Sequence, residues 1–227
     1  MKPDVPVLYA VPQSPYCAKV RAVLRFKGIG FDEREPAGGS YQTTDYQKLV
    51  AAGSVPAIQF GEWVLHDSQA ILEYLEDEWP EPSIWSPISR VRARQRALMH
   101  YHDGRLEPAV RELVPHVRQP DSAERNHQLA RIQDLLFDRH FRLDRMVTPE
   151  PWLGGDAPCA LDWAYPPTLA IAGDLLAAMG RSLELPQALS EWYRLANQTE
   201  PAATQLVTVR EAICNWLSQD VEGGPLH

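Results

Sequence analysis

Hydrophobic periodicity changes character once along this chain, near residue 80, and that change limits the folds open to it. Before it, short apolar runs with strand-like alternation are interleaved with helical stretches; after it, every periodic segment repeats at helical spacing and no strand pattern competes. Pro80, Pro82 and Pro87 crowd the boundary, and a proline-rich segment between periodic regions is a natural linker. A chain of 227 residues is long enough for two domains of modest size. The expected division is a mixed α/β domain over 1–80, a linker over 81–89 and an all-helical domain over 90–227.

Within the first part, Val5 to Ala10 reads as a buried strand feeding the loop Val11-Pro12-Gln13-Ser14-Pro15. A helix follows, with Ser14 as N-cap, Pro15 at the first helical position and Cys17, Val20, Val23 and Leu24 at helical spacing, ending near Gly28. Phe31 to Glu35 is predicted as a strand, Thr44 to Ala52 as a short helix stopped by Gly53, and Val55 to Leu65 as two strands joined across Gly61. Asp67 and Ser68 open another helix, whose buried face carries Ala70, Ile71, Tyr74, Leu75 and Trp79. This order places parallel crossovers before an antiparallel hairpin, a thioredoxin-like plan. In the second part, helices are predicted over 89–118 (with breaks near Pro108 and Pro115), 122–147, 160–179, 187–197 and 202–218, with a loose tail from Val221 to His227.

The charge balance narrows the partners. A formal net charge of −8 argues against nucleic acid and anionic membranes, both of which need a basic surface, and favours small molecules. Arg90, Arg92, Arg94 and Arg96 are an exception, but a two-residue step turns a helix by about 200°, so they form two separate stripes, which suits a solvated or inter-domain face better than an anion site. Cys17, Cys159 and Cys214 are odd in number and widely spaced, which makes neither a disulfide framework nor a metal site, and a cytoplasmic setting is expected. No run of about 20 apolar residues signals membrane insertion, and the start carries no export signal.

Three short segments carry candidate chemistry. Ser14-Pro15-Tyr16-Cys17 turns a buried strand into a helix N-terminus, where unpaired N–H groups stabilise an anion such as a thiolate. Only the thiolate is nucleophilic, and a free thiol has a pKa of about 8.5, so a hydroxyl donor at this helix end would help to lower it. Ser14 reads equally well as a plain N-cap. Cys17 lies on the apolar face and reads as a buried structural thiol before a nucleophile. Gly53-Ser54-Val55-Pro56 ends in a proline at a strand start, an ordinary turn position. Asp67-Ser68 is first of all a good helix cap.

In this order and at these spacings the three segments resemble the glutathione S-transferase family. The run from Ser14 to Leu24 is similar to the active-site segment of cytosolic, serine-type, bacterial-like members, and also resembles the glutaredoxin Cys-Pro-Tyr-Cys turn with its first cysteine replaced by Ser14. The resemblance covers residues 5 to about 79 well and the helical half loosely. It implies a thioredoxin-like domain that binds glutathione as cosubstrate, followed by an all-helical domain that holds a small apolar electrophile, with no metal. Ser14 would donate its hydroxyl to the sulfur of glutathione; Val55, before a cis Pro56, would pair with the peptide backbone; Ser68 would take the γ-glutamyl carboxylate while Asp67 faces the ammonium group. A substrate pocket using Tyr16, Tyr101 and Arg105, with Met99, His100 and His102 nearby, is also implied, as are conjugation or isomerisation and a homodimer.

Two departures qualify the likeness. Where the family often has Asn-Pro and then a lysine near the proline loop, this chain has Val50-Ala51 and Ser54; Gln42 is a possible substitute for the missing grip on the glycyl carboxylate. Trp152 to Asp162 resembles the lead into the family's central helix, but Cys159 stands at the cap and Pro166-Pro167 follow, so a weaker cap and an irregular helix start are expected. The alternatives are a non-catalytic binding or interaction protein that kept the fold, and a glutathione-dependent thiol oxidoreductase using Cys17.

Overall fold

The computed structural model describes residues 5–219, and the predicted tail from Val221 to His227 lies outside them. The chain divides into two compact units, one ending at Ile84 and the other beginning at Trp85.

The first unit runs β1 (Val7–Tyr9), α1 (Pro15–Phe26), β2 (Asp32–Arg34), α2 (Thr44–Leu49), β3 (Ala57–Phe60), β4 (Trp63–His66) and α3 (Ser68–Glu78). The sheet order is β2-β1-β3-β4. β1 and β2 are parallel, whereas β1–β3 and β3–β4 are antiparallel, so the expectation of more than one parallel crossover is corrected. Twelve-residue α1 returns the chain to the far end of the sheet. Six-residue α2, about 9 Å long, does not, and β3 enters from the end at which β2 leaves. The hairpin is as expected, with Gly61 (φ 59°) first in the two-residue connection, where a tight hairpin turn needs positive φ.

Leu8 and Ile58 from the sheet, Val20, Val23 and Leu24 from α1, and Ile71, Leu72 and Leu75 from α3 are fully buried. Ala70, expected on the buried face of α3, is exposed. The buried stripe of α3 is instead centred on Ile71, Leu72 and Leu75, one helical position round. α1 ends on Gly28 (φ 67°), and the Ile29 N–H reaches back to the Leu24 carbonyl at 2.9 Å. Buried Lys27 then ties the ends of α1 and α3: its Nζ donates to Glu76 Oε2 (2.7 Å) and to the carbonyls of Trp79 and Pro82. Trp63 is 45% exposed and rests on Tyr74, ring centres 4.7 Å apart.

The regular elements of the second unit are helices: α4 (Ser89–Tyr101), α5 (Glu107–Arg111), α6 (Ala123–Met146), α7 (Ala160–Ala178), α8 (Gln187–Ala196) and α9 (Ala202–Ser218). The predicted break in the first long helix falls upstream of Pro108. A π-turn over His102–Leu106 separates α4 from α5, with the Glu107 N–H reaching back five residues to the His102 carbonyl. Widening the turn before Pro108 relieves the ring's clash with the carbonyl four residues back.

α7 is buried from Ala160 to Ala172 and forms the centre of this unit. Its start is regular, against expectation. Asp162 Oδ2 accepts from the Cys159 N–H at 2.9 Å, the Cys159 sulfur accepts in return, and the helix runs through Pro166 and Pro167 unbroken. Packing on all sides offsets the two missing ladder bonds.

His140 of α6 is fully buried with no hydrogen-bond partner on either ring nitrogen among the described residues, and burial pushes its pKa down from 6.5 to about 4. The folded state therefore stores a neutral imidazole, while the unfolded chain takes up a proton below pH 6.5. Stability from this group is full above pH 6.5 and falls as pH drops towards 4, by up to about 3 kcal/mol. Urea unfolding midpoints measured across that window are expected to fall in the parent and to flatten in His140→Leu.

Candidate functional site

The strand register gathers four chain segments at one end of the sheet. Tyr9 at the end of β1 lies opposite Arg34 of β2 and Ala57 of β3, and Ala57 lies opposite His66 of β4. The Ser14 turn, the segment carrying Gln42, the Val55-Pro56 step and the Asp67-Ser68 pair all leave or enter the sheet at this row. Residues far apart in sequence are thus brought to one edge of the first unit.

Ser14 caps α1 and is 3% exposed. Its Oγ accepts from the Cys17 N–H at 3.3 Å, and its own N–H donates to the Val11 carbonyl at 3.3 Å. With one lone pair given to the cap, the hydroxyl proton is what Ser14 has to donate. Cys17 is fully buried, and burial pushes its thiol pKa up against the opposing pull of Arg21 and Ser14. It is held as a thiol, out of reach of solvent.

The turn is fixed by a residue that the sequence reading passed over. Buried Arg21 makes a two-pronged bond to Glu33 of β2 (2.8 and 2.7 Å) and donates to the Val11 carbonyl at 3.2 Å, the same oxygen that receives the Ser14 N–H. The available signal was an arginine in the apolar stripe of α1, four residues after Cys17.

The Val55-Pro56 bond is cis. The Val55 side chain packs against Tyr46, Val50 and Ala57, and the Tyr46 hydroxyl donates to the Ser54 carbonyl at 3.0 Å, which holds the loop. The N–H and C=O of Val55 itself take no partner among the described residues, so an edge is left on which an extended peptide can pair.

Asp67 is the one non-glycine residue with positive φ (73°) among the described residues. Such a conformation costs of order 1–3 kcal/mol and persists where surrounding contacts impose it. Here Asp67 Oδ1 accepts from the N–H groups of Gln69 (2.9 Å) and Ala70 (3.0 Å), leaving Oδ2 uncommitted. Ser68 is 7% exposed, and its hydroxyl makes no hydrogen bond among the described residues. Gln42 is exposed just before α2, with its N–H on Ser40 Oγ at 3.2 Å.

Tyr16 is half-buried, with Lys19 Nζ 5.4 Å from its ring centre. In the second unit the Tyr101 hydroxyl donates to the Arg139 carbonyl at 2.9 Å, so its ring rather than its proton is available. His102 is buried and used on both sides, by Asp103 (2.7 Å) and Thr168 (2.8 Å). Arg105 is exposed on the π-turn. Among the described residues, no group of His, Cys, Asp or Glu is placed to hold a metal, and no helix is long and apolar enough to cross a membrane.

Residues 8–83 match the profile of the glutathione S-transferase N-terminal domain. Glutathione S-transferase Z2 of Arabidopsis thaliana is 36% identical over 80 residues, 34% of this chain and 35% of that one. Maleylacetoacetate isomerase of Pseudomonas aeruginosa is 34% identical over 96 residues, 40% of this chain and 45% of that one. The chain thus spans less than half the length of these curated relatives. A Tau class glutathione S-transferase from mango, Mangifera indica, superposes with a TM-score of 0.76 over 93% of this chain and 96% of its own, at 18% identity, which establishes the two-part fold.

Proposed function

Because the chain belongs to the glutathione S-transferase family through its N-terminal domain, we propose that it is a serine-type transferase that directs glutathione thiolate onto a small apolar electrophile. One observation carries this reading. Ser14, Val55 and the Asp67-Ser68 pair sit on segments that meet at a single end of the sheet, each with a polar group not consumed by the fold. A tripeptide laid along Val55 pairs with its N–H and C=O; its γ-glutamyl carboxylate meets the Ser68 hydroxyl at the start of α3, and its ammonium group meets Asp67.

The cysteinyl sulfur then lies by the N-terminus of α1. The Ser14 O–H donates to it and the helix end favours its negative charge, each pKa unit of lowering corresponding to about 1.4 kcal/mol. The thiolate forms a carbon–sulfur bond, and either the leaving group departs with its electron pair or an unsaturated substrate takes up a proton. Isomerisation uses the same addition followed by expulsion of the thiolate. In the first unit, Tyr16 beside the Ser14 turn is the residue proposed to meet the electrophile. Burial of Cys17 speaks against its use as a redox nucleophile. We place the protein in the cytoplasm as a homodimer, a setting that suits its three free cysteines.

The exposed position of Gln42 favours a second reading, in which glutathione is held loosely and the fold serves binding without turnover. Calorimetric titration tests the site first. The parent is expected to bind glutathione at micromolar to millimolar concentration, and Ser68→Ala to weaken that binding roughly 10- to 100-fold, as loss of a hydrogen bond to a charged group does. No heat of binding in the parent at millimolar glutathione would overturn both readings.

A further inference from the structure

The second unit contains a cavity of about 770 Å³ between α6, α7, α8 and α9, bordered by the irregular segment that carries Leu183, Glu184 and Leu185. We infer that this cavity is a binding site for a small amphipathic ammonium compound with an aromatic or apolar body. The site lies wholly within the second unit and does not rest on the glutathione reading.

The apolar part is explicit. Phe137 and Phe141, one turn apart on α6, are 49% and 48% exposed and stack with ring centres 6.4 Å apart and planes at 16°. Two large rings half-open to solvent at the mouth of a cavity are a feature that a chain folding for its own sake buries. A second cavity of about 330 Å³ shares Phe137, Leu183 and Glu184 and adds Asp134, so Phe137 borders both cavities. The larger volume falls in the range that holds a small organic molecule.

The sign of the ligand follows from which charges are already used. Arg210 is the one base lining the larger cavity among the described residues, and its Nε lies 3.8 Å from Asp174 Oδ2, an opposing carboxylate. The two acids in the lining, Asp144 and Glu184, make no ion pair or hydrogen bond among the described residues. The uncommitted charge in the cleft is therefore negative. Aromatic faces attract a cation through their quadrupole, so the Phe pair and the two carboxylates favour the same sign. A carboxylate ligand of the same size would meet both acids and find the only base already paired.

Three probes with one body separate charge from grease: 4-phenylbutylamine, 4-phenylbutanol and 4-phenylbutyrate, titrated calorimetrically into the full chain at neutral pH. The amine is expected to bind roughly tenfold more tightly than the alcohol, and the carboxylate most weakly. Asp144→Asn combined with Glu184→Gln is expected to bring the amine down to the alcohol. Phe141→Leu keeps the apolar area but is expected to reduce the amine's advantage several-fold. Equal binding of amine and alcohol, tightest binding of the carboxylate, an amine affinity indifferent to both variants, or no saturable binding of any probe would overturn the inference. The comparison on the unaltered chain stands whether or not the variants fold.

Discussion

Replacing Ser14 by alanine is expected to lower turnover of an aryl halide with glutathione by roughly 10²- to 10³-fold, the loss that follows removal of one donor from a developing or stored negative charge. Glutathione affinity is expected to stay within a few-fold, because Val55, Asp67 and Ser68 hold the peptide away from the sulfur. The pH–rate profile gives the sharper readout. Without the hydroxyl the bound thiol titrates higher, so the variant's rate is expected to keep rising into alkaline solution where the parent has levelled off. Ser14→Ala also removes the cap on the Cys17 N–H, costing about 1 kcal/mol of stability. Ser14→Thr separates the two effects: it keeps both cap and hydroxyl and is expected to restore stability and most of the turnover. Cys17→Ser is expected to change turnover little. A Ser14→Ala enzyme as fast as the parent, with an unshifted pH profile, would remove Ser14 from the chemistry and leave it a cap.

Much of the local structure at this candidate site was legible because each part obeys a local rule. Ser14-Pro15 is a helix start by cap and proline preference, and Asp67-Ser68 is a cap whether or not a ligand binds; the structure places both as the local rules require. What local rules do not carry is which ends of which strands coincide. The row Tyr9, Arg34, Ala57 and His66 depends on β3 running antiparallel to β1, and a periodicity of two reads the same in either direction. Arg21 was missed for a related reason. On the helical wheel it is a charge on an apolar face, and its role appears only when Glu33 and the Val11 carbonyl arrive from elsewhere in the fold. Asp67's positive φ is likewise invisible to propensity, which scores aspartate as a cap and not as a strained one. The break expected near Pro108 takes the form of a π-turn, because the proline marks where a regular helix fails while the chain adjusts in the turn ahead of it.

The start of α7 misled in the other direction, and it is where the largest loss of stability is expected. Cysteine is a poor cap, so weakness was expected at Cys159, but the strength lies in Asp162. Its carboxylate, 1% exposed, accepts four donors: Oδ1 takes the Leu153 N–H (2.8 Å) and Trp192 Nε1 (2.7 Å), and Oδ2 takes the N–H groups of Cys159 (2.9 Å) and Gly154 (3.3 Å). One side chain thus fixes the loop before α7, the cap of α7 and the indole of α8. Asp162→Ala strands the buried N–H groups of Leu153 and Cys159, the Trp192 indole N–H and the part-buried Gly154 N–H, each buried donor at about 1–3 kcal/mol, so a loss of about 5 kcal/mol or more is expected for the second unit. That is comparable to the whole stability of many domains, and soluble expression itself is expected to suffer. Asp162→Asn is the informative variant, because its single carbonyl oxygen can keep two of the four donors while its amide faces the other two. An intermediate loss of about 3 kcal/mol is expected, read from urea unfolding followed by tryptophan fluorescence, to which Trp192 contributes. If Asp162→Ala instead unfolded within 1 kcal/mol of the parent, with Trp192 emission unchanged, the four bonds would be dispensable, and the helix through Pro166 and Pro167 would have to be held by packing alone.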